Sequence, residues 1–301
     1  MFTKTLDNKR YHTLNYYYRT KFKSKVIKVS LNGNFSCPNY KDGGCIFCSG
    51  GSGNSYLNLS LEEQFRLVKV PLDKKWPKAK YIAYLQANTN TYAPVEVLKK
   101  KYAEALAIPG VIGLSIATRC DALSDEVLEL LSELNKKTYL TVEVGLQTIH
   151  EETLKFIRRG HDLKSFDEAI KKLKDRGIFT VVHIINGLPY ETKEMMIDTV
   201  KHLNDLEIDG IKIHMLYIIK NTELERIYLN KPFHILTKEE YIDIVCSELE
   251  YLNQNVVIER ITGDPIVDEL VEPFWLTKKF GVLNDIDKEM KKRDIYQGDK
   301  C

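Results

Sequence analysis

Short runs rich in β-branched and aromatic residues recur along this chain, separated by longer segments whose apolar positions repeat every three to four residues. The runs cover residues 26–31, 81–86, 111–117, 139–145, 179–185 and 210–217, with a seventh at 256–261. Between them lie helix starts of the Ser/Thr-x-x-Glu type: Ser60 with Glu63, Ser165 with Glu168, and Thr237 with Glu240. Gly177 follows the apolar stripe of Phe166, Ala169, Ile170 and Leu173, where a left-handed residue ends a helix. Strand then helix, repeated six times, predicts parallel strands joined by right-handed crossovers. No G-x-G-x-x-G follows the first run, which weakens a dinucleotide-binding sheet. Six repeats also fall short of the eight of a closed barrel. The expected fold is α/β, a partial (βα)6 TIM-type barrel over 26–262, with an N-terminal arm (1–25) and a C-terminal extension (263–301) packed on it. The tail after Pro273 is expected as a lid or edge element.

Composition supports a folded chain, with 44% hydrophobic and 29% charged residues in 301. The uncharged apolar runs are far shorter than the roughly 20 residues of a membrane-spanning helix, so no membrane partner is expected. The first ten residues carry charges without an apolar stretch behind them, so a cytoplasmic, reducing location is expected and the six cysteines are not read as disulfides.

Net charge is only +2, but residues 1–28 hold eight Lys or Arg against Asp7 alone. Tyr11, Tyr16, Tyr17, Tyr18 and Phe22 are interleaved with these cations, beside His12. Cations with stacking rings suit RNA, with Lys21, Lys23 and Lys25 as candidate phosphate contacts. A solvated arm whose tyrosines pack on the barrel fits the same residues.

Cys37, Cys45 and Cys48, spaced C-x7-C-x2-C, follow the first run directly and precede the tract Ser49-Gly50-Gly51-Ser52-Gly53. That is the barrel end where ligands bind. Three thiolates can hold a [4Fe-4S] cluster with one iron open, whereas structural zinc asks for four closed ligands. His12, Cys120, Cys246 or Cys301 would have to complete a zinc site, and none stands at knuckle spacing. Cys120 reads as a small inert residue, His183 and His214 as core residues, and a zinc-knuckle nucleic-acid-binding module remains the alternative.

With those cysteines, the phrases Asn15-Tyr16-Tyr17, Ala117-Thr118-Arg119, Glu143-Val144-Gly145-Leu146-Gln147-Thr148, Arg159-Gly160-His161 and Asn186-Gly187-Leu188-Pro189 resemble the radical S-adenosylmethionine (SAM) superfamily. Within it the chain is similar to the YhcC/YtqA-type group, related to the elongator catalytic subunit and the coproporphyrinogen dehydrogenase-like enzymes. The resemblance implies a [4Fe-4S] cluster on Cys37, Cys45 and Cys48, and SAM cleaved to methionine and a 5′-deoxyadenosyl radical. It places Phe47 against the adenine, although a core Phe shielding the cluster suits that position too. Glu143 and Gln147 join the SAM-binding set, Glu143 toward the amino group or ribose, and Arg159 approaches the SAM carboxylate. Gln86 opens a polar loop where many members carry Gly-Gly-Glu, a phrase missing here. For this group the resemblance implies wobble-uridine tRNA as partner, with remodelling of a 5-carboxymethylaminomethyl side chain to aminomethyl, and a reductant such as flavodoxin or ferredoxin. Oxidative decarboxylation of a small metabolite, as on porphyrinogens, is the competing activity.

Overall fold

The computed structural model describes residues 2–50 and 58–301, so Gly51, Ser52 and Gly53 of the glycine-rich tract lie outside the described residues. In chain order the strands are β1 (Val26–Leu31), β2 (Lys80–Leu85), β3 (Val111–Thr118), β4 (Tyr139–Gln147), β5 (Phe179–Asn186), β6 (Gly210–Met215), β7 (Ile218–Ile219), β8 (Val257–Arg260) and β9 (Leu270–Glu272). The helices are α1 (Leu14–Phe22), α2 (Leu61–Lys75), α3 (Val95–Ala107), α4 (Asp125–Lys137), α5 (Glu151–Phe156), α6 (Leu163–Lys174), α7 (Lys193–Asp205), α8 (Glu223–Asn230), α9 (Lys238–Tyr251) and α10 (Lys279–Arg293). Seven strands form one sheet in the order β1-β2-β3-β4-β5-β6-β8, each neighbouring pair parallel. The last run thus adds a seventh parallel strand to the six expected.

The sheet is curled. Lys28 on one edge strand reaches Glu259 on the other with a 2.6 Å ion pair, and Thr13 just before α1 bridges to Ile258. Outward-facing Val29, Leu31, Leu114, Ile116, Val142, Val144, Val182, Ile184, Ile211 and Ile213 are buried with the helices in the main core. Alternate positions face the lumen and are polar: Lys28 and Ser30, Tyr84 and Gln86, Ser115, Glu143, His183, Lys212 and His214, Glu259. Period-2 alternation inside a parallel barrel is what leaves a polar cavity at its centre.

The capping boxes of Ser60–Glu63 and Thr237–Glu240 form as expected. Ser165 does not cap: Asp162, three residues earlier, accepts from the Ser165 amide and starts α6 at Leu163. The run at 210–217 stops as a strand at Met215, because the chain turns there to make β7, which pairs with β9. The tail after Pro273 is not a lid. It forms α10, whose Val282, Ile286 and Met290 join the main core against α9. Nor is the N-terminal segment a free arm. Its backbone is tied to the barrel by Ile258 N–H to His12 O (2.8 Å) and Gln297 N–H to Arg10 O (2.9 Å). Tyr18 is 2% exposed in a satellite core with Val26 and Ile82, and Phe22, Ile112 and Tyr139 pack on it. All but Ile82 belong to α1 or to strand starts, so α1 plugs the N-terminal end of the barrel. Among the described residues no helix is long and apolar enough to cross a membrane.

Candidate functional site

The cysteine loop sits at the C-terminal mouth, the other end of the barrel from α1. After β1 the chain makes a 3-10 turn at Pro38–Asp42, between Cys37 and Cys45. Ile46 N–H then donates to Ile157 O (3.1 Å), and Leu224 N–H to Ile46 O (2.8 Å), so the loop is bolted to the segment after β4 and to α8. Ile46 is buried with Leu154, Ile157, Leu188, Leu216, Ile218 and Leu224, and Phe47 packs half-buried against that cluster. Phe47 therefore shields the loop from one side.

Two side chains aim donors at a cysteine sulfur. Asn39 Nδ2 lies 3.3 Å from Cys45 Sγ and 2.8 Å from Arg158 O. Arg159 Nη1 lies 3.8 Å from the same sulfur, while its Nη2 donates to Gly145 O (2.5 Å). Arg119 holds this pair in place, donating to Arg159 O (2.8 Å) and making a bidentate pair with Asp121 (2.8 and 2.7 Å). The glycines of the two quoted phrases are required here. A Cβ on Gly145 would stand 2.8 Å from both Arg159 Nη2 and Gln147 Nε2. A Cβ on Gly160, at φ +80°, would stand 2.3 Å from Asn39 Oδ1. Close approach of Asn39 and Arg159 to the sulfur depends on both.

The loop after β2 closes the other side. Tyr40 OH donates to Asn88 Oδ1 (2.6 Å), and Asn88 Nδ2 to Phe35 O (2.8 Å). Burial raises the Tyr40 pKa, and negative charge on Cys48, Cys37 and Cys45 as thiolates would raise it further. Gln86 accepts from the Ser30 hydroxyl (2.8 Å) at the lumen side of the mouth, and Gln147 is held at φ +83°. Arg159, 5% exposed, has its Nε without a partner, and buried Asn90 Oδ1 has none either. A three-thiol loop with amide and guanidinium donors on its sulfur fits a cluster with one open iron, and these orphaned atoms fit a polar cofactor beside it. Among the described residues no group of three or more His, Cys, Asp or Glu is gathered to hold a single metal ion.

The residues that could have completed a zinc site go elsewhere. His12 Nδ1 lies 3.1 Å from Asn255 O, beside the barrel rim. Cys120 and Cys246 are buried in the main core, their thiols pushed up to about 12 by burial. Cys301 is exposed at the C-terminus near Asn204.

Glu143 lies deeper than expected. It is 1% exposed and its carboxylate takes Lys28 Nζ (2.8 Å), the Ser115 hydroxyl (2.7 Å), the Tyr84 hydroxyl (2.6 Å), His183 Nε2 (2.8 Å) and the Lys212 ammonium. Glu259 pairs with Lys28 (2.6 Å) and stands 3.8 Å from Lys212. Burial alone would neutralise Glu143, but Lys212 and Lys28 hold its pKa well below the usual carboxylate range. With five partners already in the chain, its carboxylate is not offered to a ligand at the mouth. It is the centre of a neutral quartet of two lysines and two glutamates under the site.

Sequence reasoning passed over Lys28, Lys212 and Glu259, and placed His183 and His214 in the core rather than the lumen. The argument that singled out Glu143, a charge in an apolar strand, applies equally to the other three. Lys21, Lys23 and Lys25 lie at the plugged end: Lys21 over the Tyr17 and Tyr139 rings, Lys25 hydrogen-bonded to Asn15 Oδ1 (3.1 Å) and over Trp76, and Lys23 exposed.

A curled parallel sheet with three thiols on the loop after its first strand, a polar lumen and a plugged far end is a partial-barrel arrangement suited to a cofactor at its C-terminal mouth. The Radical SAM superfamily profile matches residues 37–203 and the Radical SAM C-terminal domain residues 208–292. The chain is 46% identical to YtqA of Bacillus subtilis over 297 residues, covering 96% of this chain and 92% of that protein. It is 28% identical to the tRNA uridine(34) acetyltransferase of Methanocaldococcus jannaschii, over 61% of this chain and 34% of that one. Among solved structures, Elp3 of the archaeon Methanocaldococcus infernus shares the fold with TM-score 0.69 and 20% identity, covering 91% of this chain and 64% of that chain. The chain belongs to the radical SAM superfamily and is an enzyme of it.

Proposed function

We propose that Cys37, Cys45 and Cys48 hold a [4Fe-4S] cluster, that Phe47, Gln86, Gln147 and Arg159 surround SAM at its open iron, and that the enzyme remodels the side chain of a tRNA wobble uridine. The observation that carries the site is the pair of donors, Asn39 and Arg159, aimed at the Cys45 sulfur from a backbone that only glycine at 145 and 160 permits. A [4Fe-4S] cluster held by Cys37, Cys45 and Cys48 would supply the electron for reductive cleavage of SAM to methionine and a 5′-deoxyadenosyl radical. Arg159 offers its free Nε to the SAM carboxylate while its other nitrogens fix the loop. Phe47, with the apolar cluster behind it, excludes water from one flank. Glu143 acts from below, keeping Lys28, Lys212 and His183 in place so that the lumen presents a neutral polar floor.

The tRNA reading is supported by the relatives whose names specify tRNA uridine 34 and by the basic α1 end. An RNA that reaches the mouth meets those lysines only around the side of the barrel, roughly 26 Å along β4, so they would serve as distant phosphate contacts. The test is the tRNA nucleoside profile of a deletion strain by mass spectrometry. Accumulation of 5-carboxymethylaminomethyluridine with loss of downstream nucleosides is expected. An unchanged profile rejects the substrate while leaving the cluster site intact.

A further inference from the structure

Deep in the lumen the charges cancel, while at the mouth neither Arg159 nor Arg260 has a carboxylate partner among the described residues. Lys28 and Lys212 face Glu143 and Glu259, and burial lowers the pKa values of His183 and His214, keeping both imidazoles neutral. Arg260 ends β8, in register with Lys212 on β6. It is half-buried, and among the described residues no hydrogen bond or ion pair engages it. Two residues beyond Lys212, on the same face of β6, stands His214, the next lumen position toward the mouth, and Tyr217 follows past the end of that strand. Tyr217 cannot drift, because its ring packs on Gly263, where a Cβ would stand 3.1 Å away. His214, 5.5 Å from His183 ring to ring, has no side-chain hydrogen bond among the described residues. Arg260 therefore stands at the β8 side of the mouth, beside His214 across the β6–β8 pair and three residues before Gly263, on which Tyr217 packs.

We propose that Arg260, flanked by His214 and Tyr217, is a subsite for a carboxylate carried by the substrate. A partly desolvated guanidinium without an anion costs free energy that a bound carboxylate returns through two parallel N–H···O bonds. The neutral imidazole adds one N–H donor, and the Tyr217 hydroxyl another. A local excess of one positive charge matches a monoanion better than a phosphate dianion, since both lysines are already paired. The subsite deepens the function proposed above and rests on it only for the tRNA probes.

The test titrates the full chain, free of cofactors, by NMR with three probes: 5-carboxymethylaminomethyluridine, 5-methylaminomethyluridine, which lacks only the carboxylate, and sarcosine, the carboxylate fragment alone. Wild type is expected to prefer the first nucleoside by about tenfold or more, the worth of a charge-assisted hydrogen bond. Arg260→Met should erase the preference and the sarcosine shifts, Arg260→Lys should keep part of both, and SAM affinity of the reconstituted variants should be unchanged. An unaltered melting temperature shows that each variant folds. Sarcosine shifts that depend on Arg260 while neither nucleoside binds would keep the subsite and reject the tRNA reading. Equal affinity for the two nucleosides, no response to sarcosine, or an Arg260→Met variant that retains the preference would overturn the subsite. So would a tenfold loss of SAM affinity in Arg260→Met with the preference intact, since the guanidinium would then serve the SAM carboxylate.

Discussion

The two ends of this barrel are built on different principles. At the N-terminal end, Tyr17, Tyr18 and Phe22 of α1 meet Tyr139 and Phe179 in edge and tilted ring contacts 5.1–6.3 Å apart, a plug made by burial and shape. At the C-terminal end, the apolar cluster behind Ile46 and Phe47 packs too, and backbone strain is added to it. Gln147 at the end of β4 and Asn34, Asn88, Arg158 and Tyr190 in the loops around the mouth hold positive φ, as does Gly160 beside Asn39; at the other end Lys23 after α1 and Glu207 before β6 do so. Non-glycine residues in that region cost of order 1 kcal/mol or more each. One end spends nothing on ligands and stabilises the fold; the other is destabilised locally to hold donors where a cofactor needs them.

Five experiments test that contrast. The largest effect is on the mouth: replacing Cys37, Cys45 or Cys48 with Ala should abolish iron retention after anaerobic reconstitution while leaving the melting temperature of the cofactor-free chain unchanged. Tyr18→Ala should do the reverse, costing about 3–5 kcal/mol of unfolding free energy in urea titrations with iron per folded chain preserved. Iron loss in Tyr18→Ala without loss of stability would mean that the ends are coupled. Next, Arg159→Ala and Gly160→Ala should each weaken SAM binding about ten- to a hundredfold with the cluster's absorbance kept, measured by equilibrium dialysis. Full SAM affinity in both would remove the Arg159 cradle from the site.

A smaller effect is expected behind the mouth. Glu248 is fully buried on α9, accepts from Asn186 Nδ2 (2.8 Å) at the end of β5, and burial pushes its pKa up to about 8. A raised carboxyl favours folding while it is protonated, so that contribution is complete below the ordinary Glu pKa of about 4.3 and is lost as pH rises through about 8. Glu248→Gln should flatten stability against pH across this window and stabilise the chain at its upper end, as thermal melts will show. A wild-type chain whose stability does not fall over that range would refute the assignment. The smallest effect is at the plug's surface: replacing Lys21, Lys23 and Lys25 with Ala should flatten the log–log salt dependence of tRNA binding by about two units without changing SAM cleavage. An unchanged slope would leave the basic end as a solvated surface.

The architecture was legible because strands and helices here follow local rules. The run at 26–31 is β1 residue for residue, and the two capping boxes at Ser60 and Thr237 form as spaced. What was not legible depends on curling. Lys28 and Glu259 are 231 positions apart and meet only because the sheet's edges close, so no local pattern could pair them. The same closure turns Glu143 inward to five partners and leaves His214 and Arg260 at the lumen's rim. The cysteine spacing marked the candidate site, but that Asn39, inside that spacing, reaches Cys45 and that Arg119, in a quoted phrase, braces Arg159 emerges only in three dimensions, where Gly160 lets Asn39 approach. The positively charged α1 was legible as charge and not as place: its tyrosines were needed to seal the barrel, which put its lysines at the far end.

The central claim is that the strained mouth, and not the packed end, carries redox chemistry on three thiols. Its direct test is 5′-deoxyadenosine formation from SAM by anaerobically reconstituted, dithionite-reduced enzyme, with iron and zinc counted in the same sample. Wild type should carry about four irons per chain, show a brown chromophore and form 5′-deoxyadenosine, and the Cys37/Cys45/Cys48→Ala triple variant should do none of these. A colourless wild-type protein that holds one zinc, or product formation that survives in the triple variant, would contradict it.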